Sequence, residues 1–210
     1  MLCIEHAYDW AGRLRVAEFN IRPAGEADIP LLARAIGQAS GGYARIGWLR
    51  RQDEFPGVEP ELIGAALFAR REPPFDWRNA VVAELDAEPV AAMLMQASRC
   101  PCGCRSEQRP DAANLLSPVC MSVPGSWFIV GMAVLEPWRN HGFAGRLLAH
   151  AERTARRGDY PSLSLIAFER SPATRLYLRH GFGIVDRRSV IPHPLLEYSG
   201  DVLLMAKTLG

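Results

Sequence analysis

The sequence has no apolar run near the roughly 18 residues that a membrane-spanning helix needs. Its longest candidate, Trp127 to Leu135, is short and predicts a buried strand. Charge of one sign is lacking too: a net charge of +1 gives no global bias toward nucleic acid or an anionic membrane, so any phosphate site must be local. The opening residues, Met1-Leu2-Cys3-Ile4-Glu5-His6, put an acid and a histidine where a secretory signal carries basic and then apolar residues, which predicts a cytoplasmic protein. No internal repeat is present. Five cysteines, Cys3, Cys100, Cys102, Cys104 and Cys120, are an odd number and argue against a disulfide framework.

What is there reads as one domain. A chain of 210 residues can bury one full core and little more. Residues 1–16 carry no clear period and read as an N-terminal extension; residues 17–210 read as a single domain. Phe19 and Ile21 alternate with polar neighbours as on a half-buried strand that Pro23 closes. Ile29, Leu32, Ala33 and Ile36 recur at helical spacing, with Gly37 suited to the helix end. Pro60 to Arg71 predicts a second helix with Leu62, Ile63, Ala66 and Leu67 on one side, ended by Pro73-Pro74. Ala80 to Leu85 and Val90 to Gln96 flank Asp86-Ala87-Glu88-Pro89 as a hairpin. Residues 97–125 are rich in Pro and Cys, have no sustained period and read as an insertion.

Order returns at Trp127 to Leu135, whose nearly continuous apolar character predicts a central strand buried on both faces. A helix from about Gly142 to Arg157, a strand from Leu163 to Phe168 and a short helix from Pro172 to His180 follow. Ser171 suits the N-cap of that short helix and Gly181 its left-handed stop. Two strands, about Phe182 to Val190 and Asp201 to Thr208, finish the chain. The order is that of a mixed α/β fold with one strand–helix–strand crossover.

The most informative stretch is Val134-Leu135-Glu136-Pro137-Trp138-Arg139-Asn140-His141-Gly142-Phe143-Ala144-Gly145. A buried strand runs into a turn that opens a helix, and Gly142 and Gly145 let the backbone bend and approach a ligand. The free N–H groups of the first helical turn and the helix dipole make an anion site there. Arg139 adds a charged donor. It is not a Walker loop, since no Lys precedes a Ser or Thr, and it does not follow the first strand as a dinucleotide fingerprint does.

Arg139-Asn140-His141-Gly142-Phe143-Ala144 resembles the Gln/Arg-x-x-Gly-x-Gly/Ala signature of the GNAT N-acetyltransferases. Ala173-Thr174-Arg175-Leu176-Tyr177-Leu178-Arg179-His180-Gly181-Phe182 is similar to that family's Ala-x-x-Leu-Tyr-x-x-x-Gly-Phe ending. The resemblance covers about Ala17 to Leu209. It implies a mostly antiparallel sheet, flanked by helices and splayed at a central parallel strand pair, Met132–Val134 and Leu163–Phe168. Acetyl-CoA, the acyl donor, would lie in the opening. Its pantetheine would meet backbone at Met132, Ala133 and Val134, and its pyrophosphate would sit on Arg139, Asn140, His141, Gly142, Phe143, Ala144 and Gly145. Asn140, Ala144 and Arg170 stand where the family usually has Gly, Gly and Asn; Arg170 takes the place of a cofactor contact.

The resemblance makes Tyr177 the general acid that faces the CoA sulfur; read without it, Tyr177 is a core aromatic on the short helix. The implied activity is acetyl transfer to a primary amine of a small molecule or protein by direct attack in a ternary complex. The alternative is a catalytically silent acyl-CoA-binding sensor. The general base is not readable: Glu84, Glu136 and Glu169 near strand ends read as solvated surface acids. Cys100-Pro101-Cys102-Gly103-Cys104 is tightly spaced for one tetrahedral ion, so no metal is expected, although a metal-linked module with Cys120 as fourth ligand is the competing reading. His193, between prolines, reads as a loop residue. No nucleic-acid or membrane partner is expected, and oligomeric state stays open, a homodimer included.

Overall fold

The computed structural model describes residues 17–98 and 115–210. Its elements in chain order are β1 (Phe19–Pro23), α1 (Ile29–Ala39), α2 (Tyr43–Leu49), α3 (Pro60–Arg70), β2 (Ala80–Leu85), β3 (Glu88–Ala97), β4 (Trp127–Val134), α4 (Phe143–Arg157), β5 (Ser162–Phe168), α5 (Pro172–Arg179), β6 (Gly183–Ser189) and β7 (Asp201–Thr208). The expected N-terminal extension lies outside the described residues, as does most of the expected insertion. Among the described residues no helix is long and apolar enough to cross a membrane.

Seven strands form one sheet in the order β1-β2-β3-β4-β5-β7-β6. Every neighbouring pair is antiparallel except β4–β5, which is parallel. That parallel pairing runs only from Trp127↔Leu163 to Ile129↔Leu165. Beyond it, β4 stays on β3 as far as Val134 and β5 stays on β7 as far as Phe168. The sheet therefore parts into two halves from Val130 onward, as the family resemblance implies.

Strand periodicity distributes the core. On β3, Met93 and Met95 turn to the face covered by α4 and α5, and Ala92 and Leu94 turn to the face covered by α1. Phe143, Leu147, Ala151 and Ala155 recur every four residues along α4 and are buried on the first face. Ala24, Leu32, Ala33, Ala35 and Ile36 fill the second. Gly131 makes the α1 contact possible: a Cβ there would stand 2.8 Å from the Ile36 Cδ1.

Several sequence expectations change. Gly37 lies inside α1 and does not end it. Its missing side chain makes room for Trp48, whose ring would be 3.3 Å from a Cβ at Gly37 and 2.7 Å from one at Gly64. A helical glycine costs about 1 kcal/mol relative to alanine, and here it admits a fully buried indole. Helix α2, which carries Trp48, was not foreseen: it is only seven residues long and begins straight after Gly41-Gly42. On α3 the buried face is Ile63, Gly64, Leu67 and Phe68, while Leu62 is 62% exposed. Strand β4 is not buried on both faces throughout, because Val130, Gly131 and Met132 border the opening and are half-exposed.

One ion pair ties β1 to its neighbours. Arg22 donates to both carboxylate oxygens of Asp28, at 2.7 and 3.0 Å, and to Glu84 Oε1 at 2.7 Å. Asp28 Oδ2 also accepts from the Gly25 N–H at 2.8 Å. The Arg22 hydrogen bond, more than the opposing desolvation, holds the Asp28 carboxyl below its ordinary range. A depressed carboxylate contributes stability above its unfolded pKa of about 3.9 and loses it as the pH falls through the lower folded value. Asp28→Asn is therefore expected to cost about 2 kcal/mol at pH 7. The difference from the unsubstituted protein should shrink below pH 4, read from urea midpoints at both pH values.

Candidate active site

The site begins with backbone that the parted strands leave facing the gap. In the β3–β4 ladder the Leu135 N–H donates to the Val90 carbonyl at 2.9 Å. Antiparallel alternation then turns the Ala133 polar groups to β3 and those of Met132 and Val134 to the gap. Of the three residues expected to meet pantetheine, Met132 and Val134 present backbone to the opening and Ala133 does not. The Val134 carbonyl accepts a hydrogen bond from Arg139 Nε at 3.4 Å, so Arg139 folds back over the strand end.

From β4 the chain makes a 3-10 turn at Glu136–Trp138 and then two left-handed residues, Asn140 at φ +64° and Gly142 at φ +81°. Asparagine tolerates that conformation better than most residues, which accounts for Asn140 in a place where the family often has glycine. Gly142 is the N-cap of α4. The first intrahelical donor is the Arg146 N–H, which reaches the Gly142 carbonyl at 3.3 Å. The N–H groups of Phe143, Ala144 and Gly145 therefore have no partner within the helix, and no acidic residue stands in that first turn. Around this tip, Arg139, Asn140 and His141 are exposed, and His141 Nδ1 lies 2.8 Å from the Arg139 carbonyl.

Two members of this set offer a ligand only their backbone. The Phe143 side chain is buried and stacks on Phe19 at 5.3 Å between centroids. Gly145 is small for a reason other than ligand approach: a Cβ there would be 3.2 Å from the His180 ring. His180, at the end of α5, thus stands beside the first turn of α4. Only spacing along two helices could have suggested it, and the sequence reading missed it. Arg170 is exposed, its Nε 3.5 Å from where a Gly200 Cβ would be, and it does not line the opening.

A cavity of about 360 Å³ occupies the gap. Phe128 and Val130 of β4 and Ile166, Ala167 and Phe168 of β5 form its waist. Ala173 and Tyr177 of α5 border it from one face of the sheet, and Ile36, Tyr43, Trp48 and Leu67 border it from the other. Leu116, Val119 and Cys120, at the end of the expected insertion, close a side. The cavity runs through the sheet where the strands part.

Tyr177 is placed by the start of α5. The Ser171 side chain caps the helix by accepting from the Ala173 N–H at 3.2 Å. Thr174 Oγ1 donates to the Phe168 carbonyl at 2.6 Å and pins the helix to β5. Gly181 at φ +85° then turns the chain so that Phe182 meets the Tyr177 ring edge-on at 5.8 Å. Tyr177 is 7% exposed, and burial pushes its phenol up to about 12. Burial is the sole cause of that rise, with no hydrogen bond or charge contributing to it.

None of the three acids considered as a base lines the cavity. Glu84 is not a solvated surface acid: it is held by Arg22, with its side chain 15% exposed. Glu136 is exposed, and Glu169 is exposed beside Arg187 at 3.5 Å. The carboxylate that does line the cavity is Glu72, bonded to Arg51 at 2.7 Å and held by it below the ordinary carboxylate range. His193 Nδ1 accepts from the Leu195 N–H at 3.2 Å and serves its loop. Among the described residues no group of three or more His, Cys, Asp or Glu is placed to hold a metal; Cys3, Cys100, Cys102 and Cys104 lie outside them.

Structural comparison finds the same architecture widely. An acetyltransferase crystal structure superposes with a TM-score of 0.62 at 17% identity, covering 91% of this chain and 100% of that one. A GNAT-family acetyltransferase from Streptococcus pneumoniae gives 0.54 at 18% identity, covering 92% and 100%. The yncA structure from Salmonella typhimurium, with its cofactor acetyl-CoA, gives 0.57 at 17% identity, covering 91% and 94%. No curated protein matches the chain in sequence. The profile of the acetyltransferase (GNAT) family matches residues 48–182, which takes in both the α4 turn and the α5 word. With that match over more than half its length, the parted β4–β5 pair and the open α4 tip, this chain belongs to the GNAT acetyltransferase family.

Proposed function

We propose that the protein is an acetyl-CoA-dependent N-acetyltransferase that moves an acetyl group to a primary amine within a ternary complex. The observation that carries this reading is the cavity through the sheet, with Tyr177 at one side of the parted strands and α1–α3 at the other. The thioester enters from the α4–α5 side. Pantetheine amides pair with the backbone groups that Met132 turns to the gap, where β5 no longer pairs with β4. The diphosphate sits on the N–H groups of Phe143, Ala144 and Gly145, in the positive field of the helix start, with Arg139 and His180 alongside.

The neutral amine attacks the thioester carbonyl, and a backbone N–H at Val134 meets the oxyanion. The C–S bond then breaks. Tyr177, near 12, holds its proton more tightly than a thiol near 8.5 does. It therefore donates a hydrogen bond to the leaving thiolate, and releases its proton only as it regains the one shed by the acylated nitrogen. The products are the amide and the CoA thiol, with no net proton gained or lost from a neutral amine. The lack of an unpaired carboxylate or His at the described cavity walls also suits a silent acyl-CoA sensor. One calorimetric titration and one turnover assay decide. Acetyl-CoA should bind, and amine should release CoA thiol; binding without thiol release leaves the sensor, and no binding removes both readings.

A further inference from the structure

We infer that the acceptor is a small primary amine with an aromatic body and no second charge, held in the half of the cavity bounded by α1 and α2. This deepens the proposed N-acetyltransferase reading and rests on it. The walls there are aromatic: Tyr43, Trp48, Phe75, Phe128 and Phe168 all face the space. Tyr43 is 6% exposed, and its hydroxyl is buried with no hydrogen-bond partner. A volume of about 360 Å³ lies at the small end of the range for small-molecule sites, and the acetyl group takes part of it.

Charge at the walls is already spent on itself. The charged residues among the described cavity walls are Arg51 and Glu72. Arg51 bonds Glu54 at 2.7 and 2.8 Å and Glu72 at 2.7 Å. Arg70 stands 3.3 Å from Glu54 and 3.6 Å from Glu72. Two guanidiniums and two carboxylates make a neutral quartet. Among the described walls it leaves no carboxylate for a polyamine and no guanidinium for an acidic acceptor, and to recruit either would break a paired group. The hydroxyl of Ser40 is likewise engaged, donating to the Gly37 carbonyl at 2.8 Å and accepting from the Ala44 N–H at 3.0 Å.

The same poverty of charge answers the missing base. An ammonium entering an apolar cavity pays its desolvation, which lowers its pKa and favours the neutral, nucleophilic form. An aromatic body supplies the burial that draws the amine in, because rings pack well against rings. A second ammonium or a carboxylate on the same molecule would add desolvation cost with nothing to offset it.

Two measurements test this with the full chain. In the first, 2-phenylethylamine, spermidine and a lysine-containing peptide are offered with acetyl-CoA, and thiol release is followed. The expected result is a kcat/KM at least tenfold higher for 2-phenylethylamine. The second uses Gly47→Leu. Gly47 lines the cavity in α2, and a Cβ there meets only the Leu116 Cδ1 at 3.9 Å. Leucine favours the helix more than glycine does, so the variant should melt no lower. Its side chain fills acceptor space: the KM for 2-phenylethylamine should rise at least tenfold while acetyl-CoA affinity is unchanged. Preference for spermidine or the peptide, or an unchanged KM in the variant, overturns the inference alone, whereas acetyl-CoA binding with none of the three acetylated overturns it and favours the sensor reading. Failure to bind acetyl-CoA overturns the enzyme reading with it.

Discussion

Tyr177→Phe is expected to lower kcat about 100-fold and to leave the dissociation constant for coenzyme A within a factor of two. The size is that of losing a positioned proton donor in a transfer step, equivalent to about 2.7 kcal/mol of transition-state stabilisation. The ring that packs against Phe182 at 5.8 Å is kept. Only burial raises the phenol that is removed, with no hydrogen bond contributing, so its loss should not unsettle the fold. The melting temperature should stay the same or rise. These three readouts separate the roles: a merely structural tyrosine would move stability and spare kcat, whereas the donor moves kcat alone. A variant that turns over at the normal rate would show that water protonates the thiolate and that Tyr177 is only a wall.

The pH profile carries the same signature. With its phenol near 12, Tyr177 stays protonated across the working range. The rate should therefore rise with pH through the pKa of the bound amine and show no falling limb from this residue below pH 10 or so. A falling limb near neutrality would point to a second acid.

What the sequence made legible follows from how far each signal reaches. The α4 stripe from Phe143 to Ala155, the hairpin of β2 and β3, and the capped α5 are local patterns, and each folds where its period places it. The open tip of α4 was legible because it is built by the backbone: a strand, a turn with Gly142 and a helix start suffice. The α1–α2 wall of the cavity was not. Trp48 is fully buried because Gly37 and Gly64, eleven residues before it and sixteen after it, both lack a side chain. No window along the chain shows that coincidence. His180 reaches the α4 tip only because Gly145 lets two helices meet. Ala133 was expected to face the cofactor with its neighbours, and ladder alternation, a property of the pairing and not of the residues, turns it to β3.

Ala144→Asp is expected to weaken coenzyme A binding about 100-fold while making the folded protein no less stable. Ala144 lies in the first turn of α4, one residue past Phe143. A carboxylate there favours the helix by about 0.3–1 kcal/mol through the same dipole that would attract the diphosphate. It also competes for those N–H groups and repels the ligand. At about 5 Å and an effective dielectric of about 20, one pair of like charges costs roughly 3 kcal/mol, consistent with two orders of magnitude in affinity. Ala144→Asn has nearly the same shape without the charge, so it should recover most of the loss. If Asp and Asn weaken binding equally, the effect is steric and the anion lies elsewhere. If Asp leaves binding unchanged, the diphosphate is not on this helix start, and the cavity between β4 and β5 must take a different ligand. Stability and affinity moving in opposite directions in one variant is the result that a general disturbance of α4 could not produce.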